Sequence, residues 1–242
     1  ESNLTDSPKM YRWEGQIAVV SGASSGIGLA ISKAFVEKGV ITVGLARRKD
    51  KMEREMKDVN QKGLFYAVEC DVYSEENVAN AFQWIKENVG PVQIMVNNAG
   101  VMYNKTIIAF GVNVMGLLDC TKHAIKMMKE ANVEGHIVNI NSSLGHHVHS
   151  IGEVKFSVHA GTKHAVTGLT ETLRMELLGS KIRVTSISPG FVKTEMLEAC
   201  NFDINAVKEP ALETKDIADA VVYVVGTPQR VEIKELMINP FA

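Results

Sequence analysis

The residues of this chain best placed to move a proton are His159 and Lys163, four positions apart in His159-Ala160-Gly161-Thr162-Lys163. On a helix that spacing puts an imidazole and an ammonium on one face, one turn from each other. A free imidazole titrates at about 6.5, and a neighbouring cation lowers that value. His159 is therefore expected to be neutral at pH 7, a usable base and a poor proton donor. A second group of chemical interest is Gly22-Ala23-Ser24-Ser25-Gly26-Ile27-Gly28. It lies between an apolar run and a segment with apolar residues at helical spacing. In such a place glycines let the backbone approach a pyrophosphate that the helix N-terminus then holds. A bare glycine cluster is more often an ordinary loop; the strand before it and the helix after it point to a dinucleotide.

These groups need a scaffold, and the chain reads as alternating strands and helices. Ile17 to Val20 forms a strand, followed by a helix with Ile27, Ala30, Ile31, Ala34 and Phe35 on its inner face and Lys38-Gly39 at its end. Strands follow at Val40 to Ala46, Leu64 to Cys70 and Val92 to Val96, with Ser74 capping a helix that turns Val78, Ala81, Phe82, Ile85 and Val89 inward. Further strands are expected at His136 to Asn141, Ile182 to Ser188 and Val231 to Ile238. Helices are expected from about Lys163 to Leu178 and from Thr214 to Gly226. Such alternation needs crossover helices on both faces of a sheet, so the fold class is α/β: a single doubly wound Rossmann domain with a mostly parallel seven-stranded sheet. Its limits are set at residues 10–242. Glu1 to Lys9 reads as a disordered tail or an expression remnant, with Met10 a candidate native start.

Bulk properties narrow the function further. A chain of 242 residues with 45% hydrophobic content suits one core. A net charge of −2 gives no attraction to nucleic acid or anionic membrane, which leaves a small ligand as the expected partner. No apolar run is long enough to span a bilayer. Cys70, Cys120 and Cys200 are few, odd in number and far apart, as small core residues of a reducing, cytoplasmic compartment would be. Five histidines lie between His146 and His164: His146, His147, His149, His159 and His164. Their spacing matches no compact zinc pattern, so no metal is expected and a histidine-rich surface loop is the favoured reading.

The spacing G-x-x-x-G-x-G resembles the short-chain dehydrogenase/reductase family, with Ser21 where that family usually has Thr. Ordered motifs extend the resemblance over nearly the whole chain: Asp71, Asn97-Asn98-Ala99-Gly100, Asn113, Ser142, Lys163, and Pro189-Gly190 with Thr194. Within the family, Tyr11 to Gly15, Gly44 to Arg48 and Thr162 to Thr167 are similar to the insect farnesol-dehydrogenase-like group. The resemblance implies hydride transfer between a nicotinamide and an alcohol or carbonyl substrate. Ser142 would polarise the carbonyl, Lys163 would bind the nicotinamide ribose, and Asn113 would hold a water. Gly22, Ser24, Ser25, Gly26, Ile27 and Gly28 would cradle the cofactor. Asp71 and Val72, then Asn98, Ala99 and Gly100, then Pro189, Gly190, Val192 and Thr194 would line its path. The second strand ends in Arg47-Arg48, where an NAD site would carry an acid for the ribose 2′-hydroxyl. Two guanidiniums there suit a 2′-phosphate, so the expected cofactor is NADP(H); a solvated basic turn is the plainer alternative. Pairing through the helices of Asn113 and Lys163, as homodimer or homotetramer, is also implied.

Position 159 departs from the family, which places there a tyrosine that gives or takes the proton. Three readings compete for His159: a working substitute in an oxidising enzyme, a residue of a catalytically weakened NADP(H)-binding carrier, sensor or scaffold, or an engineered replacement of the native tyrosine. The segments after Gly100 and after Gly190 are also short for the family. True loss of loop residues is expected to unseat Asn113 from its helix, which favours residues missing from the chain as given. Met102, Phe191, Met196 and Leu197 suggest a hydrophobic substrate, with core or interface packing as the alternative.

Overall fold

Seven short strands form the centre of the molecule. The computed structural model describes residues 10–59, 62–102, 106–148, 157–198 and 210–241. The strands are β1 (Ile17–Ser21), β2 (Ile41–Ala46), β3 (Phe65–Glu69), β4 (Val92–Asn97), β5 (Gly135–Ile140), β6 (Ile182–Pro189) and β7 (Glu235–Ile238). They pair in the order β3-β2-β1-β4-β5-β6-β7, and every pairing is parallel. The expected mostly parallel sheet is thus parallel throughout. Parallel strands are covered on both faces, which explains the apolar run of β1 and the largely apolar β4.

Successive strand residues point to opposite faces and build two cores. Val20, Val96 and Val138 pack on one side against α1 (Gly26–Glu37) and α8 (Thr214–Gly226), with Met52 of α2 (Lys49–Met56) beside them. Val19, Met95 and Ile137 pack on the other against α3 (Glu75–Asn88) and α5 (Leu117–Glu130), with Leu173 of α6 (Ser157–Glu176) at the margin. Two short helices complete the set, α4 (Thr106–Phe110) and α7 (Glu195–Glu198). Ser74 caps α3 as expected, its hydroxyl accepting from the Asn77 amide at 3.2 Å. No helix among the described residues is long and apolar enough to cross a membrane. Cys70 and Cys120 are free and buried; Cys200 and the leader Glu1 to Lys9 lie outside the described residues.

Three readings change. The helix expected from about Lys163 begins at Ser157, so His159 stands on the same helix as Lys163. The last strand begins at Glu235 rather than Val231. The short segment after Gly100 does not unseat Asn113, because α4 runs into a wide π turn, Gly111–Gly116, that carries it into α5. The chain reverses its winding direction between β1 and β4, and in open sheets of this kind the crevice beyond the carboxyl ends at that point takes the ligand.

Candidate active site

The crevice is real and large. A cavity of about 860 Å³ opens at the carboxyl ends of the strands, walled by the loops after β1, β2, β4, β5 and β6. Its floor is the glycine turn. Gly22 and Gly26 hold φ values of +69° and +55°, which a side chain would strain. A Cβ on Gly28 would lie 2.4 Å from both Asn98 Nδ2 and the Gly22 carbonyl. Gly28 is therefore not on the cavity wall but behind it, where its bareness lets Asn98 reach the turn. Asn98 Nδ2 donates to the carbonyls of Ser21 (2.9 Å) and Gly22 (3.3 Å), while the Ser21 hydroxyl accepts from the amides of Asn98 (3.0 Å) and Ala99 (3.1 Å). Ser21 and Asn98 thus tie the loop after β4 to the glycine turn.

At the end of β2 the Arg48 guanidinium leans over the turn and donates to the hydroxyls of Ser24 (3.2 Å) and Ser25 (3.1 Å). Arg47 lines the same corner and is exposed. Asp71 accepts from the Tyr73 amide at 3.1 Å, a turn contact, and still faces the cavity with Val72. The far side is formed by Ala99, Gly100, Pro189, Gly190, Val192 and Thr194, all on the wall. The Gly190 amide is held by the Ile238 carbonyl at 2.7 Å, which fixes that loop to β7.

Ser142, His159 and Lys163 meet in the same cavity. Ser142 follows β5 and caps a one-turn helix, its hydroxyl accepting from the Leu144 amide at 3.1 Å. Lys163 is buried, and its ammonium donates to the Ile140 carbonyl at 2.8 Å. Burial draws its pKa down to about 8. For His159, burial and then the Lys163 charge lower the pKa to about 4 against a small opposing effect of the Val101 carbonyl. That carbonyl lies 3.4 Å from Nδ1 and can only accept, so Nδ1 carries the hydrogen and Nε2 keeps the lone pair. A pKa of about 4 leaves the imidazole neutral at pH 7, with burial, and not the Lys163 charge on which the sequence expectation rested, as the larger cause.

Asn113 differs from the expectation. It is 2% exposed and stands behind the wall rather than on it. Its amide is fully engaged, Nδ2 donating to the Val101 carbonyl (3.0 Å) and the Thr162 hydroxyl (3.0 Å), and Oδ1 accepting from the Val101 amide (2.8 Å). The Thr162 hydroxyl in turn donates to the His159 carbonyl at 2.8 Å. Asn113 braces the turn that carries His159 and the loop that faces it. The histidine-rich stretch holds no metal cluster among the described residues. His146 sits 2.7 Å from the Glu235 carboxylate, His164 faces its own helix at the Ala160 carbonyl, and His149 lies outside the described residues. Met102, Phe191 and Met196 line the apolar part of the cavity; the Leu197 side chain is among those not described. Glu195 also lines the cavity and had no signal in the sequence.

Fold and cavity together define a Rossmann-type domain with a dinucleotide cradle at its switch point. Residues 16–205 match the short chain dehydrogenase family, and the chain belongs to that family. It is thereby an oxidoreductase of the nicotinamide-using kind. It is similar to the farnesol dehydrogenase of Aedes aegypti, 42% identical over 96% of this chain and 98% of that relative. It is also similar to dehydrogenase/reductase SDR family member 11 of Homo sapiens, at 38% identity over 96% and 97%. Among solved structures, the closed form of serine dehydrogenase complexed with NADP+ superposes with a TM-score of 0.82 and 26% identity over 92% of this chain and 94% of that one.

Proposed function

We propose that the protein is an NADP(H)-dependent oxidoreductase acting on an alcohol/carbonyl pair of a hydrophobic substrate, terpenoid alcohols such as farnesol being the first candidates. The observation that carries this reading is the sharing of one cavity by the glycine cradle, Arg48 and the trio Ser142, His159 and Lys163. When bound, the nicotinamide supplies the hydride chemistry, and the protein supplies position, charge and proton traffic. Backbone amides of Ser24 to Gly26 and the first turn of α1 would hold the pyrophosphate. Arg48 would pair with the 2′-phosphate, the reason to favour the phosphorylated cofactor over its plain form. Asp71 and Val72 would meet the adenine, and Lys163, anchored on Ile140, would meet the nicotinamide ribose.

At the reacting centre Ser142 would donate to the substrate oxygen, and His159 Nε2 would accept the hydroxyl proton as hydride leaves the carbon. A neutral imidazole favours this oxidising direction. Met102, Phe191 and Met196 suit an apolar substrate, and the Aedes aegypti relative is by its name a farnesol dehydrogenase. The free thiols of Cys70 and Cys120 suit a cytoplasmic setting. Exposed Ile107 of α4 and Met115 of the π turn that holds Asn113 support self-association as dimer or tetramer.

A second reading rests on His159 itself. An imidazole held near pKa 4 gives reduction almost no acid, as in a cofactor-binding protein without useful turnover. Oxidation of farnesol and of shorter alcohols, followed as NADP+ reduction, tests the choice. Turnover with NADP+ supports the enzyme; tight cofactor uptake without oxidation of any alcohol supports the binder.

A further inference from the structure

Opposite the glycine turn, a carboxylate stands on the cations of the 2′ corner. Glu195, first residue of α7, accepts from Lys51 Nζ of α2 at both oxygens, 2.6 and 2.9 Å. Its Oε2 also lies 3.7 Å from Arg48 Nη1. The same Arg48 donates through Nη2 to Ser24 and Ser25, so one guanidinium touches the phosphate turn and Glu195 at once. The loop after β6 and the start of α2, 144 positions apart, are joined here by charge-assisted hydrogen bonds. Lys51 and Arg48 hold the carboxyl below its ordinary pKa, the Lys51 hydrogen bond first among the causes, while partial burial opposes them.

A 2′-phosphate needs the donors that Glu195 occupies. It brings about two negative charges and three acceptor oxygens where a carboxylate brings one charge and two oxygens, so it is the stronger claimant. Both cannot hold Arg48 and Lys51 together without two anions in contact. We propose that Glu195 is an internal competitor for the 2′-phosphate site, that Lys51 is a further cation of that site, and that binding of the phosphorylated cofactor displaces Glu195. This rests on the NADP(H) reading and adds its cost: the free protein holds its cation corner closed, and only a ligand with a 2′-phosphate repays the broken ion pairs. The 5′ end of the cofactor meets Glu195 only through Ser25, the weakest of the carboxylate's contacts, and enters the competition far less.

Isothermal titration with adenosine 2′,5′-bisphosphate, with 5′-AMP as control, tests it on the full chain. Each exposed ion pair is worth about 1.4- to 5-fold in affinity, so removing two of them by Glu195→Gln should tighten 2′,5′-bisphosphate binding about two- to thirtyfold. Binding of 5′-AMP should stay within about twofold on the same grounds. Lys51→Met should weaken the bisphosphate, more so in the Glu195→Gln background, where no carboxylate shares the ammonium. Equal or weaker bisphosphate binding by Glu195→Gln, with the wild type binding normally, overturns the competitor role. No effect of Lys51→Met in either background overturns the role of Lys51. If neither the wild type nor Glu195→Gln takes up the bisphosphate or NADPH, the NADP(H) reading itself is wrong and this inference goes with it.

Discussion

Replacing His159 by tyrosine is the most informative single change, because the structure fixes the size of the expected effect. With a pKa of about 4, the ring is protonated in about one molecule in a thousand at pH 7. Three pH units at about 1.4 kcal/mol each amount to about 4 kcal/mol against donating a proton to a carbonyl oxygen. Part of this returns, since the rare imidazolium is a strong acid and transfers its proton more readily. A tyrosine, with a pKa near 10 and Lys163 beside it, keeps its proton at pH 7. His159→Tyr should therefore speed carbonyl reduction at pH 7 by about 10²- to 10³-fold, within the usual range for a positioned acid. Alcohol oxidation should change much less, because the neutral imidazole already accepts. The assay is initial-rate NADPH consumption with an aldehyde and NADP+ reduction with the matching alcohol, between pH 5 and 8. In the parent protein, reduction should gain nearly tenfold for each unit that pH falls from 7 to 5. A folded His159→Tyr protein that binds NADPH and reduces no faster than the parent refutes the reasoning, as does a parent reduction rate that is flat with pH.

Gly28→Ala places a methyl 2.4 Å from Asn98 Nδ2 and the Gly22 carbonyl, so it should lower stability by about 1–3 kcal/mol in a thermal melt and abolish NADPH uptake. The contrasting change, Gly168→Ala in the exposed middle of α6 with nothing within 4 Å, should stabilise by about 0.5–1 kcal/mol and leave uptake intact. For pH, the folded pKa of His159 is lowered from 6.5 to about 4, so the unfolded chain takes up the proton first. Its contribution to stability is complete above about pH 6.5 and is lost as pH falls through 4, up to about 3 kcal/mol. His159→Phe should accordingly show a shallower fall in melting temperature over that window than the parent.

What the sequence makes legible follows from which forces act locally. β1 and β4 are buried on both faces, so their apolar runs stand out, and the glycine turn is legible because its backbone angles exclude side chains. The start of α6 is not, since Gly161 in its early turns weakens the helical signal before Lys163. Val231 looks like strand but precedes β7, and its carbonyl accepts from the buried Arg183 guanidinium instead of a neighbouring strand. Asn113 is marked by its type and place as a site residue. Only the structure shows its amide consumed by Val101 and Thr162. Glu195 and Lys51 meet across the fold with no periodicity to join them, so no spacing argument could pair them.

The account depends most on a cradle that accepts a phosphorylated nicotinamide dinucleotide with Arg48 on its 2′-phosphate. The direct measurement is parallel fluorescence titration of the parent and Arg48→Met with NADPH and NADH. Losing a charge-assisted contact worth about 1.5–3 kcal/mol predicts about 10- to 100-fold weaker NADPH binding by the variant, with NADH binding unchanged. NADPH binding that ignores Arg48, or no uptake of either nucleotide by the parent, would contradict it.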